Sequence, residues 1–299
     1  MPSPRSLPRR VAAFAAAGLF SLGALALSFH GTARASVRSA VHSAAGDATL
    51  PAIVRRALGM PDVRWVRAES AQVALYAAAG SRAAANLDRA RAEAEAARAA
   101  DLATLGVPAF PRQLHLVYLK DRAQMRTLAG YPAGGTAEPE QYAAVFVTND
   151  SVRAPVRHEL MHVLAADAWG PPAGDWLREG LATHAVGGCG GRSLHTIAAA
   201  LDREHRLLPL ADLPRRFDVR GEAGAVMYVQ SGSLVQYVAD RYGTDRLRDF
   251  YRSGLAAAPT VLGVDAAALE RAWLATVRRH AGRDSWAQID ADIVRHGCE

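Results

Sequence analysis

With 299 residues, half of them hydrophobic, the chain has apolar material for one large domain or two small ones and is neither disordered nor collagen-like. The formal charge of +6 is carried almost wholly by arginine, Lys120 being the only lysine. No cluster of basic and aromatic residues accompanies that charge, so nucleic acid is not an expected partner.

At the N-terminus, Arg5, Arg9 and Arg10 precede an uncharged apolar run from Val11 to Phe29, and Ala33 and Ala35 then form a small-residue A-x-A cleavage pattern. Residues 1–35 read as a signal peptide for export, with Arg9-Arg10 also admitting the twin-arginine route. The alternative is an uncleaved anchor, since this run is just long enough to span a bilayer; contact with the membrane is expected only in that case. Cleavage would remove four arginines and no acid, lowering the formal charge from +6 to +2. Export would also place Cys189 and Cys298, the only cysteines, where disulfides persist, and their even count predicts a bridge.

Residues 36–61 show no sustained hydrophobic period and read as a linker or leader, ahead of a single domain over 62–299. "RWVRAES" (64–70) and "QVALYA" (72–77) read as strands, and the Ala/Arg/Glu stretch from Arg82 to Leu105 as a helix. "LHLVYL" (114–119) is a strand, "DRAQMRTLA" (121–129) a helix started by Asp121, and "YAAVFVT" (142–148) another strand, with a surface loop, "GYPAGGTAEPE", before it. Beyond this point the sequence predicts helices alone. Strands and helices fall in blocks without a repeating strand-helix unit, so the expected fold is α+β.

A helix capped by Asp150 or Ser151, and halted at Gly170-Pro171-Pro172, would carry "HELMH". His158 and His162 then lie four residues apart on one helical face, from which both imidazoles reach a single ion, while Val156, Leu160, Val163 and Leu164 bury the other. Glu159 stands beside the ion, where a general base is needed. An HExxH string alone is too short to define a site. Support comes from "GDWLREGLATHAVGG", a second helix capped by Asp175, ending at Gly187-Gly188 and carrying Glu179 mid-way. A short connection folds it back, and Gly180 suits a close approach of two helix backbones. Two histidines and a glutamate make three ligands with a fourth position open, the arrangement of catalytic zinc.

With these motifs the sequence resembles the gluzincin zinc metallopeptidases, and more closely the peptidase MA-like domains of exported bacterial proteins. Their W-L-x-E-G-x-A block corresponds to Trp176, Leu177, Glu179, Gly180 and Ala182, and the similarity runs on through "YVQSGSLVQYVADRYG" (228–243) and "LGVDAAALERAW" (262–273). The resemblance implies a small N-terminal sheet on a largely helical, thermolysin-like core. It further implies His158, His162 and Glu179 as zinc ligands, Glu159 as base, and a peptide or protein substrate, which 142–148, read as an edge strand, would pair with. Many relatives carry an acid four residues after the ligand glutamate; here Thr183 offers a weaker acceptor for a ligand imidazole. Tyr228 lies in the similar block and is a candidate oxyanion donor, or else a half-buried aromatic on a stripe with Val226, Val229 and Tyr237.

His184, His195, His205, His280 and His296 read as surface or packing residues. A G-x-S-x-G elbow, a Walker loop and a dinucleotide fingerprint are all missing, which leaves serine hydrolases and nucleotide binders unsupported. Two further readings stay open: a non-catalytic, zinc-containing envelope protein, which would have no use for Glu159, and a zinc hydrolase of a non-peptide substrate.

Overall fold

The computed structural model describes residues 49–152, 155–218, 224–296 and 298. The expected signal peptide and residues 36–48 of the expected leader lie outside these. In chain order the elements are α1 (Ala52–Leu58), β1 (Trp65–Glu69), β2 (Val73–Ala78), α2 (Arg82–Ala85), α3 (Leu87–Leu105), β3 (Leu114–Leu119), α4 (Arg122–Ala129), β4 (Gly135–Glu138), a 3-10 turn (Pro139–Gln141) and β5 (Ala143–Val147). The helical half follows: α5 (Val156–Ala168), α6 (Asp175–Val186), a hairpin of β6 (Gly188–Cys189) and β7 (Arg192–Ser193), α7 (Leu194–Arg203), α8 (Leu213–Arg216), α9 (Gly224–Ser253), α10 (Ala258–Val261), α11 (Ala266–Arg278) and α12 (Trp286–His296). The fold is mixed α+β, as expected.

The five-stranded sheet has the order β1-β2-β3-β5-β4. Its three middle strands run parallel, joined by α3 on one face and α4 on the other, so strand-helix alternation is present here although the sequence reading set it aside. Only β1 and β4 are antiparallel to their neighbours. Side-chain alternation assigns the faces. Leu75, Leu116 and Phe146 point toward α3 and α5, whereas Tyr76, Val117 and Val145 point toward α1 and α4. A sheet covered on both faces needs apolar residues at every position, which is why β2, β3 and β5 read as near-continuous hydrophobic runs.

Three local expectations are corrected. The stretch 36–61 is not all linker: Ile53, Val54 and Ala57 of α1 are fully buried against the sheet, and seven residues are too few to show a helical period. The predicted helix 82–105 is broken at Asn86, whose extended φ of −147° ends α2 and whose side chain accepts from Arg89 N to start α3. The strand over 142–148 is not an edge. It pairs with β3 on one side and on the other with β4, which lies inside the segment read as a loop.

In the helical half, α6 packs between α5 and α9. A Cβ on Gly180 would lie 3.0 Å from Ser231 of α9, and one on Gly232 would lie 2.7 Å from Thr183 of α6. The two glycines form a reciprocal seam, so Gly180 does serve a close approach of helix backbones, with α9 as the partner. Gly243, at φ 83°, breaks α9 into two straight pieces. Cys189 and Cys298 form the expected disulfide, and Arg192 adds ion pairs to Asp284 and Asp292 beside it. Among the described residues no helix is long and apolar enough to cross a membrane.

Candidate metal centre

The helix α5 begins after Pro155, later than predicted. Asn149 rather than Asp150 or Ser151 organises the preceding turn, its Oδ1 accepting from the backbone N–H of Ser151 and Val152. Pro155, with φ −65°, then starts the helix with no side-chain cap. Leu160, Val163 and Leu164 are fully buried, each contributing about 1.5–3 kcal/mol of burial, and they fix the rotation of α5 about its axis. That rotation turns His158 and His162 toward α6, with ring centroids 4.9 Å apart and planes nearly perpendicular.

Glu179 meets them from α6. Trp176, Leu177 and Leu181 are buried around it, the helix starts one residue earlier than Asp175 could cap it, with Gly174 in the cap position, and it ends at Gly187 in the left-handed conformation, φ 88°. Glu179 Oε2 lies 3.1 Å from His158 Nε2 and 3.4 Å from His162 Nε2. Ligand atoms at the corners of a tetrahedron with bonds of 2.0–2.1 Å stand about 3.3 Å apart. Both carboxylate–imidazole distances match this spacing, and the three donor atoms lie within 4.8 Å of one another, a triad that could hold a metal ion.

The electrostatics agree. Burial alone would push the Glu179 carboxyl up, but hydrogen bonds and charge from His158 and His162 outweigh it and hold the group well below the usual carboxylate range. Burial would likewise lower His158, yet its hydrogen bond to Glu179 and the negative charges of Glu159, Glu179 and Asp101 raise it. A pocket that draws a proton to an imidazole in this way also draws a cation. Glu159 is 8 % exposed, and burial raises its carboxyl against the opposing pull of His158 and His162. It has room only because residue 135 is glycine: a Cβ there would stand 2.4 Å from Glu159 Oε1.

Tyr228, on α9, is brought to the same place, its ring centroid 5.8 Å from that of His158. Burial, the charges of Glu179 and Glu159, and a hydrogen bond to Glu179 all push its hydroxyl above the ordinary tyrosine value. Phe217 packs edge-on against the Tyr228 ring, with centroids 6.2 Å apart. Thr183 does not take the part its position suggested: its side chain lies where Gly232 approaches, and His162 Nδ1 has no hydrogen-bond partner among the described residues.

Three residues of the site carried no sequence signal. Gly135 sits in a glycine-rich loop sequence. Arg178 hydrogen-bonds Glu179 Oε1 through Nη2 at 3.1 Å and Nε at 3.3 Å, although adjacent helical residues do not normally face each other. Asp101, fully buried on α3, receives Arg157 Nε at 2.8 Å and so ties the first turn of α5 to the helix across the sheet face. Burial pushes Asp101 up to about 7 against the pull of Arg157. The remaining described histidines stay outside the triad. His195 pairs through Nδ1 with Ser233 Oγ, to which Trp273 Nε1 also donates, and His184 is enclosed within α6 and its neighbours.

The mixed sheet-and-helix fold thus sets an HExxH helix against a helix that carries a glutamate. The Peptidase MA superfamily model matches residues 133–279, from just before β4 to the end of α11, a stretch that contains the triad, Glu159 and Tyr228. Residues 133–279 are thus similar to the Peptidase MA superfamily, which supports a peptidase MA-like domain there. No curated protein matches the chain.

Proposed function

We propose that the protein is an exported, zinc-dependent peptidase that hydrolyses peptide bonds outside the cytoplasm. The observation carrying this reading is the convergence of His158, His162 and Glu179 with Glu159 alongside, inside the stretch matched by the Peptidase MA superfamily. Two imidazole nitrogens and one carboxylate oxygen are the donor set of catalytic zinc, which keeps a position for water, whereas structural sites close with four ligands and usually include cysteine. Both cysteines here are spent in the disulfide. When bound, zinc supplies Lewis acidity to a carbonyl and makes water acidic near neutral pH.

The protein's own groups supply the rest. Glu159 takes the proton of the attacking water and returns it to the leaving amine, and its raised carboxyl suits both halves of that transfer. Tyr228 donates its hydroxyl to the oxyanion that develops on the scissile carbonyl. The strand positioned to align an extended substrate is β4, the sheet edge, since β5 has a neighbour on both sides; Gly135 of β4 lies directly against Glu159. The signal-peptide-like sequence of residues 1–35 and the disulfide support export.

The test is digestion of an unbiased peptide pool by the purified protein, with mass spectrometry of the products. Cleavage that a chelator abolishes and zinc restores is expected. A zinc-loaded protein that leaves every peptide intact contradicts the peptidase reading.

A further inference from the structure

We propose that Arg178 is a positioning residue for the metal centre: its guanidinium engages one oxygen of Glu179 so that the other alone is offered to the ion. This rests on the zinc reading above.

The two oxygens of Glu179 have separate partners. Oε2 faces both histidines, at 3.1 and 3.4 Å, while Oε1 receives the Arg178 guanidinium at 3.1 and 3.3 Å. A carboxylate on a glutamate stem turns freely about its last bond and can offer an ion one oxygen or two. A charge-assisted hydrogen bond to Oε1 removes that freedom and leaves a single oxygen as ligand. The same Nη2 of Arg178 also lies 3.3 Å from Asp175 Oδ1, one turn back on α6. The guanidinium thus has two carboxylate partners, only one of which belongs to the triad.

Exposed arginine–carboxylate pairs contribute little, and Arg178 is 45 % exposed. Its partner differs from a surface acid, because the Glu179 side chain is 8 % exposed and already shared with two imidazoles. A positive charge beside the triad also opposes a dication. The gain must therefore lie in orientation, where outer partners of metal ligands have their effect.

The experiment compares the native chain with R178M and R178K by zinc affinity, measured in competition with a chromophoric chelator, and by the visible absorption of the cobalt-substituted proteins. R178M should bind zinc about 10- to 100-fold more weakly, and its cobalt bands should shift as Glu179 changes its mode of ligation. R178K, which keeps the charge on a single point donor, should fall between the two. A folded R178M that binds zinc within about twofold of native and shows the native cobalt spectrum overturns the proposal, since outer-partner loss should cost at least tenfold. A native chain that takes up no zinc overturns instead the zinc reading on which it rests.

Discussion

Two pairs of histidines occupy neighbouring helices and meet opposite fates. His158 and His162 share Glu179 Oε2 within 3.4 Å, and the carboxylates around His158 raise it. Among the described residues Asp240 is the acid that raises His184 and His195, and burial, the larger influence, pushes His184 down to about 4 and lowers His195 as well. All four lie on α5, α6 or α7, and composition alone does not separate them. What separates them is a carboxylate brought to ion-pair distance: the first pair lies against Glu179, and burial lowers both members of the second.

The sharpest way to break this contrast is at the base beside the first pair. Glu159→Gln keeps the shape of the side chain but cannot accept a proton, so turnover should fall by roughly 10²- to 10⁴-fold with zinc content unchanged. Steady-state kinetics with metal analysis of the same sample checks it. Tyr228→Phe should lower kcat by about 10- to 1,000-fold while KM and zinc content stay near native, because the lost hydrogen bond forms mainly in the transition state. If the ring serves packing alone, kcat will not move.

The second pair gives a prediction in pH. His184 has a folded pKa of about 4 against an ordinary value of 6.5, so the unfolded chain takes up its proton first as pH falls. Its contribution is complete above 6.5 and is lost between 6.5 and about 4, amounting by linkage to at most about 3 kcal/mol. Asp240 opposes this shift, while Arg157 and His195 add to it. His184→Leu should flatten the stability profile across that window in denaturant titrations at successive pH values. A slope as steep as native would show that other groups set it.

The smallest effect belongs to the helix that carries both Glu179 and His184. Gly180→Ala places a Cβ 3.0 Å from the Ser231 backbone, which cannot yield as a flexible side chain would. Overpacking of this kind costs about 1–3 kcal/mol, offset by up to about 1 kcal/mol of helix propensity. Urea denaturation should show a net loss, with zinc affinity falling alongside as α6 moves from α9.

Helical periodicity made the triad legible: it fixes His158 and His162 on one face of α5, and the short connection brings Glu179 back to meet them. The buried runs of β2, β3 and β5, the Asp121 cap and the helix stop at Gly187 were legible for similarly local reasons. Strand order was not, because pairing between β5 and β4 depends on distant packing; the sequence therefore suggests a sheet edge at 142–148, whereas the edge lies at Gly135–Glu138. Glycines at 134 and 135 carry little strand propensity, and β4 exists because β5 pairs with it. Arg178 escaped notice because its contact with Glu179 depends on how a long side chain folds across the helix surface.

The central claim is that His158, His162 and Glu179 hold one zinc ion. Its most direct test is the zinc content and affinity of the purified protein beside the His158→Ala/His162→Ala double variant. The account predicts one zinc per native chain and none retained by the variant under the same chelator challenge. A folded double variant that still holds one zinc at native affinity would contradict it.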